Sequence, residues 1–174
     1  KATHHFDLIN WWLDADPAEI SAQAGLEVYG RNGAFRSTHC RDCPHTSNCR
    51  FFYDMTKNAT RMALYAGCED ADGYHRDGCV FREDIDIYDT MSAVVKYSNG
   101  VNMSYSLNAF MPIEGYHLAF NGTRGRIEVR QYEKQPWEMP DEDEILVIRN
   151  FGDAERIRVP FRRGQHFGAD TELQ

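Results

Sequence analysis

Apolar positions at Phe6, Leu8, Ile9, Trp11, Trp12 and Leu13 fall on most faces of a helix over residues 1–14. They predict a largely buried helix, ended by Asp14, Asp16 and Pro17. Ile20, Ala22, Ala24, Leu26 and Val28 then alternate with mostly polar neighbours, the period of a strand with one covered face. Residues 30–49 are rich in turn formers and predict a loop. From Arg50 to Ala66, Phe51, Phe52, Met55, Ala59, Met62 and Tyr65 recur at spacings of three and four, which predicts an amphipathic helix ended by Gly67. The polar stretch 69–78 predicts a loop.

The period then shortens to two. Asn99-Gly100, between the β-rich runs Val94–Tyr97 and Val101–Leu107, is a strong hairpin signal. A second hairpin pairs His117–Phe120 with Ile127–Val129 across a turn at Asn121–Gly125. Residues 133–144 predict an exposed connection, and Glu144–Arg149 pairs with Arg156–Phe161 around Gly152-Asp153. Helices early and hairpins late predict an α+β domain over 1–174, with a large, mostly antiparallel open sheet and helices on one face.

Composition narrows the function classes. An apolar share of 42% supports a core, and no apolar run is long enough to span a bilayer. Acidic residues outnumber basic ones, 27 to 19, which argues against a nucleic-acid surface. No Gly-x-Gly-x-x-Gly follows a strand, so no dinucleotide site is expected within these residues.

Two constellations carry candidate chemistry. On the first helix Lys1, His4 and Asp7 share one face, with Trp11 a turn further on. Imidazole exchanges protons near neutrality, and a carboxylate one turn away can orient it and stabilise its charged form. The plainer reading is a helix turn left polar because it faces solvent. In the second, Cys40-x-x-Cys43 places two sulfurs where one tetrahedral ion takes both, and Cys49 adds a third. Cys79, His45 or Cys68 would supply the fourth, giving a structural zinc; reduced structural thiols or a disulfide are the plainer readings. The acids Glu69, Asp70, Asp72, Asp77, Glu83, Asp84, Asp86 and Asp89 lack the spacing of a calcium loop and read as a solvated stretch. Arg76 and Arg82 would pair with them or point into a cleft.

The run His4-His5-Phe6-Asp7-Leu8-Ile9-Asn10-Trp11-Trp12-Leu13, followed by Asp16-Pro17-Ala18-Glu19-Ile20, resembles a segment of the Gfo/Idh/MocA oxidoreductases. Tyr88–Val101, Phe120–Glu128 and Gly164-x-His166-x-Gly168-x-Asp170 are similar to later family segments in the same order, with Phe167 and Ala169 departing from the usual glycines. The resemblance implies the C-terminal domain of an NAD(P)-dependent dehydrogenase of a sugar, inositol or related polyol, with a fold like that of glyceraldehyde-3-phosphate-dehydrogenase-like oxidoreductases. It implies His4 as the catalytic acid–base, and Lys1, His5, Asp7, His166 and Asp170 as substrate-binding residues. It also favours Cys79 as the fourth metal ligand. NAD or NADP would be held mainly by a Rossmann domain of the same chain, which is expected upstream, so that 1–174 is a fragment inactive alone. A cytoplasmic homodimer or homotetramer, joined through the sheet, is further implied. Two rivals are an NAD-dependent glycoside hydrolase of the same family and a non-catalytic thiolate–metal interaction module.

Overall fold

The computed structural model describes residues 2–138 and 142–160, and the chain folds into two compact units, Lys1–Phe110 and Met111–Gln174. The fold is α+β, with antiparallel pairing throughout the described strands. The strands form two sheets, one in each unit, rather than one large sheet.

The first unit opens with α1, Ala2–Leu13. Its end is a Schellman turn: Ala15 N–H donates to Asn10 O and Asp14 N–H to Trp11 O, both at 3.3 Å, with Asp14 left-handed at φ 47°. The expectation of a largely buried helix is not met. Only Ile9 is buried, and Trp11 stands 76% exposed, because α1 packs by one face only, with Phe6 4.8 Å from the Tyr105 ring.

Three strands, β1 (Pro17–Gly25), β2 (Thr90–Tyr97) and β3 (Asn102–Asn108), pair in that order. Along β2 and β3 burial alternates, with Val95 and Tyr97 fully buried and Ser92, Ser104 and Ser106 exposed. The Asn99-Gly100 hairpin forms as expected, with Gly100 at φ 87°, a conformation that costs a side-chain-bearing residue dearly. β1 departs from its prediction in two ways. Its residues are exposed on both faces up to Ala24, and it stops at Gly25 instead of running to Val28.

The early stop has a clear cause. The buried Asp89 carboxylate takes the backbone N–H groups of Glu27 (2.9 Å), Val28 (2.8 Å) and Tyr29 (2.7 Å), pulling them out of strand pairing. Burial alone would raise the pKa of this carboxyl, but the three donors hold it below the usual carboxylate range.

Between these strands lies a mostly irregular region, 26–89. The predicted continuous helix over 50–66 is broken into a 3₁₀ turn at Met55–Lys57, α2 at Ala59–Leu64 and a second 3₁₀ turn at Ala66–Cys68. Two capping side chains break it: Asp54 accepts from Thr56 N–H and Asn58 from Arg61 N–H, each starting a new segment. Gly67 does not end it, and the expected loop after it begins with a short helix, α3 (Glu69–Asp72).

In the second unit, β4 (Glu114–Gly122), β5 (Gly125–Lys134), β6 (Glu142–Arg149) and β7 (Ala154–Pro160) form a meander. The register places Leu118, Val129, Ile145 and Ile157 in one row, with Phe120, Ile127 and Val147 beside it, so one face is apolar. The other face carries ion pairs such as Arg126–Glu128 and Arg158–Glu142.

Asp89 yields a stability prediction. Asp89→Ala should cost about 2–3 kcal/mol, by removing a buried charged acceptor from three part-buried donors. The folded carboxyl titrates below its unfolded value of about 3.9, so its contribution is complete above that pH and fades as pH falls through the depressed folded value. Urea unfolding of wild type and variant should differ fully at pH 7 and converge in strong acid.

Candidate functional site

α1 turns a polar stripe outward. His4 and Asp7 are both exposed and share this face with Trp11. No ion pair joins His4 to Asp7 in this geometry. His5 lies on the inner side, half-buried, with Nδ1 3.0 Å from the Tyr105 hydroxyl. Burial raises the Tyr105 pKa, which keeps its hydroxyl protonated. Tyr105 pairs with Ala93, which in turn pairs with Ala22, and these small neighbours leave space for its ring against α1. The spacing of the first helix placed His4 and Asp7 together. It gave no sign of Tyr105, which needed the strand register to find. Lys1, His166 and Asp170 lie outside the described residues.

Concavities among the described residues lie away from this face. One, of about 310 Å³, is lined by Glu27, Asn32, Phe35, Asn48, Arg50 and Phe81 among others. The other, of about 650 Å³, lies in the second unit against Arg124, Arg126, Ile127 and Val147. His4 lines neither.

The cysteine loop is held by a short antiparallel bridge between His39 and Gly78. Cys40 N–H donates to Asp77 O (2.8 Å) and Cys79 N–H to Thr38 O (2.9 Å), which sets these two cysteines on the rungs either side of the His39–Gly78 pair. Cys43 Sγ accepts from His45 N–H and Cys79 Sγ from Phe81 N–H, both at 3.4 Å. Burial pushes the Cys40 thiol up, the Tyr53 N–H opposes this, and Cys79, Asp77 and Cys49 add to the rise. Cys68 is exposed and donates to Ala63 O, and the His45 ring stacks on Phe35 at 4.6 Å. All five cysteines are free. Among the described residues, no three His, Cys, Asp or Glu side chains are already gathered round one metal position.

Four of the eight acids, Glu69, Asp77, Glu83 and Asp84, sit in ion pairs. Arg41 binds Glu69 (2.5 Å to Oε1) and lies 3.6 Å from the buried Asp77, whose other oxygen accepts Arg41 N–H at 3.1 Å. The Arg41 hydrogen bond lowers the Glu69 pKa, with His75 adding to it. Arg82 is tied to Asp84 and to Cys79 O, and Arg76 to the Tyr74 hydroxyl.

No protein-family model matches this sequence, and no solved structure does. The chain is 34% identical to the Bacillus subtilis (strain 168) protein named "Putative oxidoreductase YteT". That similarity covers 99% of this chain and 44% of the relative, so the chain spans less than half the length of the curated protein it matches. No helix among the described residues is long and apolar enough to cross a membrane.

Arg41 is the testable joint of the cysteine loop. Arg41→Ala leaves the buried Asp77 without its guanidinium and should destabilise the first unit by about 1–3 kcal/mol. Arg41→Lys should recover part of this, because it restores charge without the planar fork. Thermal unfolding of the three proteins side by side gives the ranking.

Proposed function

We propose that the whole protein is an NAD(P)-dependent oxidoreductase acting on a sugar, inositol or related polyol, and that this chain is its substrate-binding and oligomerising part. The observation that carries the reading is the outward stripe of α1, where an exposed imidazole stands one helical turn from a carboxylate. Likeness to a protein named as an oxidoreductase supports the redox class.

A nicotinamide, held by a dinucleotide domain elsewhere in the whole protein, supplies the hydride acceptor and donor. In the oxidising direction His4 accepts the proton of the substrate hydroxyl as its carbon gives up hydride; in reverse it returns that proton to the carbonyl oxygen. Asp7, one helical turn away on the same face, is placed to contact the substrate beside His4. His5, its ring oriented by Tyr105, meets a neighbouring hydroxyl, and Lys1, His166 and Asp170 complete the substrate contacts in this reading. The His4 face is open and lines neither concavity, so the dinucleotide domain has to enclose the substrate and exclude water.

Two further properties belong to the proposal. The apolar sheet face of the second unit, with Ile127, Ile157 and Val159 exposed, supports a homodimer or homotetramer joined through the sheet. Five free cysteines suit a reducing compartment, in keeping with the cytoplasm.

The test uses the full-length protein and a panel of inositols and aldoses, following NAD(P) reduction. His4→Asn should lower kcat about 10²–10⁴-fold with little change in KM, and should remove the limb of the pH profile that reports the base. Wild-type kcat in that variant overturns the assignment. The isolated chain should neither bind NADH tightly by calorimetry nor turn over.

A further inference from the structure

The region 26–89 holds its shape with few buried side chains. Its buried apolar residues are Met55, Cys79 and Phe81, and its regular structure amounts to short turns and two small helices. Small domains with little core are commonly held by a disulfide or a metal, and a weakly cored segment gains from the same kind of cross-link. No disulfide is present.

Its cysteines are arranged unevenly, and the unevenness is informative. The His39–Gly78 bridge brings Cys79 from a distant part of the sequence beside Cys40. Cys40 is also an electrostatic neighbour of Cys49, and Cys43 follows it by one tight turn, its N–H donating to Cys40 O at 3.2 Å. Cys43 and Cys79 each close a small loop by taking the N–H two residues later onto sulfur. The alternatives for a fourth ligand are engaged elsewhere: Cys68 points to Ala63 O at the surface and His45 stacks on Phe35.

We infer that Cys40, Cys43, Cys49 and Cys79 bind one structural Zn²⁺ that locks the loop to the bridge. The four sulfurs are not gathered round one point as they lie, so binding draws them together by side-chain rotation within the loop. The thiols enter as thiolates and release their protons to solvent, giving Zn–S bonds of about 2.3 Å. Four protein ligands leave no open position, so the ion does no catalysis. The inference is independent of the oxidoreductase reading.

The experiment is zinc analysis of the tag-free full-length protein from zinc-supplemented culture, with cobalt substitution as a second readout. Wild type and Cys68→Ser should carry about one zinc per chain, and the cobalt form should show thiolate-to-metal charge transfer and intense tetrahedral bands. Cys49→Ser and Cys79→Ser should lose zinc to a chelator at least about tenfold more readily. Natively folded wild type without zinc, a cobalt spectrum lacking thiolate bands, a disulfide among the four, or equal loss of zinc in Cys68→Ser each overturns the inference. If the serine variants fail to fold, the wild-type cobalt spectrum decides alone.

Discussion

A single buried carboxylate connects the regular and irregular parts of the first unit. Asp89 stands where β2 begins. Its side chain holds the N–H groups of residues 27–29, its own N–H donates to Gly25 O, and its carbonyl accepts from Ala109 N–H. One residue therefore fixes the end of β1, the start of β2 and the chain leaving β3. Desolvation disfavours a charge there, yet three convergent donors keep it ionised. The chain thrown off the strand enters the next segment through Gly30, at φ +61°, whose N–H donates to Val80 O; a Cβ there would sit 2.9 Å from Ile85 O. The cysteine loop thus starts from a fixed position because Asp89 has already ended the strand.

The sequence made the hairpins legible because their signals are local. Asn99-Gly100 and the turn at Thr123-Arg124 needed only turn chemistry and alternation. The end of α1 was readable from Asp14 and Pro17 for the same reason. The broken helix at 50–66 was not, although its hydrophobic spacing is genuine, because Asp54 and Asn58 hydrogen-bond forward to backbone N–H groups and restart the chain. The length of β1 was hidden too, since its limit is set by a carboxylate far along the chain. At the candidate site, helical periodicity alone joins His4 to Asp7, whereas the His5–Tyr105 contact depends on tertiary packing. The choice between Cys79 and Cys68 likewise rests on a bridge that no spacing rule contains.

The two sheets use opposite surface chemistry. In the first, the uncovered face of β2 and β3 presents Ser92, Ser104, Ser106 and Asn102, which water satisfies without a partner. In the second, the polar face is laced with ion pairs, each worth little when exposed, while the apolar face leaves Ile127, Ile157 and Val159 open. Leaving such a row in water forfeits burial energy, at roughly 25 cal/mol per Å². The first sheet mixes these hydroxyls and amides with the open Val94 and Ile20, whereas the second gathers its apolar side chains on one face.

α1 shows how a packing helix can also present chemistry. Its inner side meets the sheet through Phe6, Ile9 and the His5–Tyr105 hydrogen bond, and Asn99, from the β2–β3 turn, donates to Leu13 O at 3.2 Å. Both ends of the helix are therefore tied to β3 or its hairpin. A residue on the outer side inherits that fixed backbone without being buried, which a proton-transferring imidazole requires. Burial would disfavour the charged ring, and a mobile loop would give it no defined position. An exposed site on a clamped helix avoids both penalties but cannot exclude water by itself. On the proposed reading that task would fall to a dinucleotide domain, with this chain supplying position more than enclosure.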